Sequence, residues 1–162
     1  MLIAALAASL TLLAASAESG SGSSPAIERF FIGTTEGSGT ADVIMSGKHP
    51  VRDRSEGRKD ASGALLLDQT VEEQGKPARR RSWRLVRSGG NRITGTINDV
   101  KGAVTGDVTD TTLHLRYTMK DGPSVEQWIT LQPDGRTAKN RMIYKRIGLK
   151  VATVETVIRR VE

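Results

Sequence analysis

Residues 91–117 read NRITGTINDVKGAVTGDVTDTTLHLRY, and this stretch decides the fold. Threonine, valine and isoleucine dominate it, and its apolar positions do not recur at the spacing of a helix face. Single glycines stand at Gly95, Gly102 and Gly106, where a packed strand would carry side chains. Glycine weakens a strand interior, so its repeated use there marks a bulge, a sharp bend or a close approach to the backbone. A sheet that closes on itself must coil strongly, and the three glycines are therefore expected at the bends of a barrel. Close approach of a ligand to the backbone is the competing reading.

The rest of the chain repeats this rhythm. IERFFIG (27–33), GTADVIM (39–45), ALLLDQTVEE (64–73) and ARRRSWRLVR (78–87) precede the opening stretch, and TLHLRYTMK, VEQWITLQ, TAKNRMIYK and LKVATVETVIRRV overlap or follow it. Turn signals stand between them, among them EGSG (36–39), SGKHP (46–50), DASG, EQGKP, SGGN, VKGA, KDGP and QPDGR. Short strands at about ten-residue spacing with glycine-centred turns predict an all-β fold, a single antiparallel up-and-down barrel. In ARRRSWRLVR one face carries Arg79, Arg81, Trp83, Leu85 and Arg87, and the other Arg80, Ser82, Arg84 and Val86. TLHLRYTMK divides more cleanly, Leu113, Leu115, Tyr117 and Met119 opposing His114, Arg116 and Thr118. Aromatics make up only 4% of the chain, which disfavours a densely filled interior and favours walls that are partly polar around some empty volume.

Residues 1–17, MLIAALAASLTLLAASA, carry no charge and end on Ala15-Ser16-Ala17, a small-x-small exit. They are expected to be a secretory signal peptide, although no basic residue follows Met1; a retained anchor is the alternative. Residues 18–26 are expected to be a flexible Gly/Ser linker and residues 27–162 the barrel domain. The 162-residue chain has no cysteine, which excludes thiol catalysis and cysteine-ligated metals and leaves burial and hydrogen bonding to hold an exported domain. The net charge is +6, and Lys76–Arg92 holds seven basic residues and no acid. Behind a signal peptide, the expected anions are an acidic, fatty-acid-like amphiphile or an anionic membrane surface rather than nucleic acid. A solvated basic face is the plainer reading of the same charges.

The second half resembles a family. RSWRLVRSGGNRITGTINDVKGAVTGDVTDTTLHLRYTM and EQWITLQPDGRTAKNRMIYKRIGLKVATVETVIRR are similar to the domain-of-unknown-function family 3833, envelope lipoproteins of Gram-negative bacteria. The resemblance rests on Trp83 with Arg84, Gly95, Asp99 with Val100, Gly102, Gly106, Arg116 with Tyr117, Trp128, Asn140 with Arg141, Lys145 and Gly148. Phe30 to Gly33 fit its opening strand. Three departures stand out: Glu126-Gln127 replaces an acidic pair, Lys145-Arg146-Ile147-Gly148 replaces a Lys-Phe-Gly pattern, and Ser16 stands where a lipobox cysteine would be. Serine cannot take the thioether-linked lipid, so a soluble periplasmic form is expected. The resemblance implies an antiparallel, lipocalin-like barrel of unassigned activity.

For the site, Trp83, Arg84, Arg116, Tyr117, Trp128, Asn140 and Arg141 are the candidate ligand-binding set. Arginine forks bind carboxylate or phosphate and tryptophan faces supply apolar and cation–π contact; an internal network fixing the barrel is the alternative. Glu126 and Asp99 are weak candidates for an acid/base role, set against an ion pair for Glu126 and backbone capping for Asp99. His49 and His114 lie far apart, with Asp107 and Asp110 the only carboxylates to join His114, so neither metal nor cofactor is expected. A monomeric binding module is the leading expectation, with a lipid- or isoprenoid-modifying enzyme, or a structural envelope protein docking through a basic face, as alternatives.

Overall fold

In the computed structural model, which describes residues 23–161, ten antiparallel strands close into one barrel. They are β1 (Gly33–Val43), β2 (Gly47–Lys59), β3 (Leu65–Glu73), β4 (Arg79–Gly89), β5 (Arg92–Ile97), β6 (Val100–Val108), β7 (Thr112–Met119), β8 (Ser124–Leu131), β9 (Thr137–Arg146) and β10 (Leu149–Val161). Each strand pairs with its sequence neighbours, and β1 closes the ring by pairing with β10, Ser38 opposite Val157. This is the expected up-and-down barrel, with ten strands where the small lipocalin type has eight. The signal-peptide reading of residues 1–17 lies outside the described residues.

The alternation sorts side chains as the sequence implies. Arg81, Trp83 and Leu85 of β4 and Leu113, Leu115, Tyr117 and Met119 of β7 are buried inside, with Arg80, Arg84 and Arg116 outside. The glycines mark strong coiling. A Cβ on Gly95 would lie 2.0 Å from the Arg84 carbonyl oxygen, and one on Gly106 would lie 2.0 Å from that of His114. Neighbouring backbones approach there too closely for any side chain. Gly102 differs: it sits at φ +74 in open space, where the β6–β7 register shifts between Lys101 and Thr105. It is a bulge residue.

Three expectations are corrected. IERFFIG is not a strand; Ala26–Phe30 form a short helix, α1. Ile27, Phe30 and Phe31 recur at i, i+3 and i+4, so one face of the turn buries all three. The amides of Ala26 and Ile27 donate to Asp110, to Oδ1 and the carbonyl, both at 2.8 Å, and Lys59 reaches Glu28 Oε2 at 2.6 Å. The helix thereby plugs one end of the barrel. Second, the linker does not run to residue 26, because Ser24 Oγ accepts from Lys59 at 2.9 Å and Pro25 caps the helix. Third, EGSG lies inside β1 and all of SGKHP but Ser46 inside β2; the turn between them is residues 44–46.

Candidate functional site

The end opposite α1 is open. Residues of β1, β3, β4, β7, β9 and β10 and of the β7–β8 turn surround a basin of about 380 Å³, whose lining includes Ile44, Lys76, Met119, Pro123 and Arg146. Ala41, Glu73, Arg79, Tyr144 and Val154 line both this basin and an inner slot of about 80 Å³. The slot is walled mainly by apolar side chains, among them Leu65, Leu67, Leu115, Ile129, Met142 and Ile158.

Polar groups enter the slot in two chains of hydrogen bonds. On one wall the Tyr117 hydroxyl donates to Gln127 Oε1 at 2.8 Å, Gln127 Nε2 to Asn140 Oδ1 at 2.8 Å, and Asn140 Nδ2 to Thr156 Oγ1 at 3.0 Å. On another, the Trp83 indole donates to Gln69 Oε1 and Gln69 Nε2 to Asp53 Oδ1, both at 3.1 Å. The Asp53 carboxyl occupies the place that a side chain on Gly37, its partner across the β1–β2 pair, would fill. Burial raises the Asp53 pKa above the ordinary aspartate value, against the opposing hydrogen bond from Gln69 and the charge of Arg81. Burial likewise pushes the phenols of Tyr117 and Tyr144 up, so both stay neutral.

Arg81 joins these walls. Its Nε and Nη2 donate to both oxygens of Asp99 at 2.8 to 3.1 Å, and its guanidinium lies 4.7 Å from the Trp83 ring centroid and 5.8 Å from that of Tyr117. Arg79, two residues earlier on the same inward face, also reaches Asp99, at 3.7 Å. Two guanidinium groups thus share one carboxylate where basin meets slot. Glu73, on the same rim, is taken up by His49 at 2.6 Å and Lys76 at 2.7 Å. Burial works against its ionisation, but those two partners hold its pKa below the ordinary value.

The seven-residue set expected to bind a ligand does not converge. Trp83, Tyr117 and Asn140 face inward; Arg84, Arg116, Trp128 and Arg141 face out. The reason is the two-residue period of a strand: Trp83 and Arg84, Arg116 and Tyr117, and Asn140 and Arg141 are chain neighbours and cannot point to one side. The side chain of Arg84 is 48% exposed and pairs with Asp60; that of Arg141 is 59% exposed and lies 3.6 Å from Glu155. Glu126 is also on the outer wall, 2.8 Å from His114 and 3.4 Å from Arg116, and His114 stacks on Trp128 at 4.8 Å. It is an ion-pair residue. Asp99 serves as the counterion of Arg81, whose Nε and Nη2 take up both its carboxylate oxygens. His49 belongs to β2 rather than to a turn. Among the described residues no three His, Asp or Glu side chains gather as metal ligands.

The inner residues that the sequence reading passed over are Asp53, Gln69, Arg79, Arg81, Gln127, Tyr144 and Thr156. The signal for two of them was in hand, since the alternation of ARRRSWRLVR places Arg79 and Arg81 beside Trp83 and Leu85.

Residues 8–160 match the family described as "Protein of unknown function (DUF3833)". The chain belongs to that family. This DUF3833 barrel is also similar to a solved structure, the S-type phycobiliprotein lyase CPES from Guillardia theta, with a TM-score of 0.65 over 84% of this chain and 92% of the other. Identity between the two is 10%, so the likeness is one of fold. No curated protein matches this chain.

Proposed function

We propose that this protein is a periplasmic or envelope barrel that binds a small amphiphilic anion through its open end. The observation that carries this reading is the sharing of one carboxylate, Asp99, by Arg79 and Arg81 at the junction of basin and slot. A second anion beside Arg79 balances that surplus, and a carboxylate or phosphate head suits a guanidinium fork. Below it, an apolar wall accepts a chain. The slot's 80 Å³ is far under the volume that usually encloses a ligand, whereas the basin's 380 Å³ lies within that range. The expected ligand therefore keeps its head and upper part in the basin and threads only a slender alkyl segment inward.

One observation favours a second reading, a lipid- or isoprenoid-modifying enzyme. Asp53 is a slot-lining carboxyl whose raised pKa suits a proton donor, and it replaces Glu126 and Asp99 as the candidate for that role. Export to the periplasm rests on residues 1–17 and Ser16. Native mass spectrometry of gently purified protein, together with titration of a fluorescent fatty acid, tests the binding reading. A co-purified acidic amphiphile or saturable binding is the expected result. A bare protein that binds no probe retires it.

A further inference from the structure

Four large apolar side chains face solvent at the open end. Ile44 and Met45 lie at the tip of the β1–β2 hairpin, Ile147 and Leu149 at that of β9–β10. Among the described residues the other large hydrophobic of this kind is Val161, at the opposite end and only 37% exposed. The two tips are neighbours, because β1 pairs with β10: Val43 stands opposite Ala152, and the Ile44 amide donates to the Val151 carbonyl at 2.9 Å. Met45 and Ile147 are both fully exposed.

The backbone makes these residues stranger still. Met45 has φ 68 and Ile147 φ 48, the left-handed region, which a β-branched side chain rarely adopts. A two-residue turn with both positions at positive φ, as in Ile147-Gly148, ordinarily takes Asn-Gly. Neither solvent nor local conformation favours methionine or isoleucine here, so the fold gains nothing from them. Their immediate surroundings are basic: across residues 42–48 and 145–150, Lys48, Lys145, Arg146 and Lys150 are exposed against one acid, Asp42. Apolar tips framed by lysine and arginine are complementary to a surface with an apolar interior and anionic heads.

We propose that the two hairpin tips insert into an anionic lipid surface and seat the mouth of the barrel on it. The docking stands on the exposed tips and needs no bound ligand, so ligand-free protein tests it independently of the binding function proposed above. In the full chain, Met45→Trp is mixed with vesicles of phosphatidylcholine and phosphatidylglycerol brominated on the acyl chains. The new tryptophan's emission is expected to shift blue and be quenched, and the quench to weaken with added salt or without phosphatidylglycerol. This local signal separates tip insertion from attachment through residues 1–17. The double variant Met45→Asn/Ile147→Asn is expected to lose vesicle affinity by on the order of a hundredfold. Its melting temperature should hold or rise, since asparagine suits positive φ. Vesicle binding without quenching, or a double variant that binds as well as wild type, overturns the proposal. So does self-association through the tips with no vesicle binding.

Discussion

Arg81 holds both carboxylate oxygens of Asp99 while its side chain is only 3% exposed, so a single acid answers a cation buried against Trp83 and Tyr117. A buried charge of this kind is tolerable only with its partner. Asp99→Asn leaves the buried guanidinium uncompensated, whereas Arg81→Met leaves the partly exposed carboxylate with Arg79 at 3.7 Å. The first is expected to cost about 3 kcal/mol in urea unfolding and the second less, and the two together less than the sum. Arg84→Met and Arg141→Met, on the outer wall, should stay within about 0.5 kcal/mol of wild type.

The Tyr117–Gln127–Asn140–Thr156 chain makes a related prediction for neutral groups. Gln127→Leu removes the acceptor of the Tyr117 hydroxyl and the donor to Asn140 in one step. Each stranded buried group costs about 1–3 kcal/mol, so destabilisation of about 2–4 kcal/mol is expected. Tyr117→Phe added to Gln127→Leu should recover part of it, because the orphaned hydroxyl is gone. Denaturant midpoints of the two variants settle the comparison.

Asp53 gives the pH dependence a sign. Burial raises its folded pKa above the unfolded value, so the folded state binds the proton more tightly. The stability this confers is fully present below the unfolded pKa and is lost as pH rises through the folded pKa. Asp53→Asn keeps an acceptor for Gln69 and never ionises. It should melt higher than wild type at neutral pH, and the advantage should shrink as pH falls toward the ordinary aspartate range. An equal gain at all pH values means that Asp53 does not titrate differently on folding.

Gly95, Gly106 and Gly102 test the closure of the sheet in two different ways. Alanine at Gly95 or Gly106 drives a Cβ into a backbone oxygen 2.0 Å away, which forces the strands apart. Losses of about 2–4 kcal/mol are expected at each. Alanine at Gly102 meets no atom within 4 Å and bears only the strain of positive φ, about 1 kcal/mol. Equal effects at all three contradict the distinction between close approach and bulge.

What the sequence made legible, and what it hid, follows from how each element announces itself. β4 and β7 alternate apolar with polar and could be read directly. β2 could not: its inward positions after Val51 are Asp53, Ser55 and Gly57, so no apolar rhythm marks it, and His49-Pro50 imitates a turn. In α1 the spacing of Ile27, Phe30 and Phe31 was helical, but five residues are too few for a period to stand out from a strand. The seven-residue set divides between two faces for a sharper reason. Its pairs Trp83–Arg84, Arg116–Tyr117 and Asn140–Arg141 are chain neighbours, and adjacency in a strand guarantees opposite faces. Sorting the same residues by parity retrieves Arg79, Arg81, Trp83 and Leu85 as one inner row. Gln69, Gln127 and Thr156 matter only through partners brought in from other strands, and no single strand shows them.

Arg79 provides the direct test of ligand binding. It is 43% exposed and lies 3.7 Å from an Asp99 that Arg81 already grips at 2.8 Å, so its loss leaves no buried charge unpaired. Arg79→Met preserves the side chain's length and deletes the surplus cation at the junction of basin and slot. Stability is expected to change by less than about 0.5 kcal/mol, while affinity for a fluorescent fatty acid falls by about tenfold, the size of one charge-assisted hydrogen bond. Arg84→Met, three strand positions past Arg81 and one past Trp83 and therefore on the outer face, should bind the probe as wild type does. Equal affinity in all three proteins places the anion elsewhere, and equal losses in both variants mean that the probe senses net charge alone.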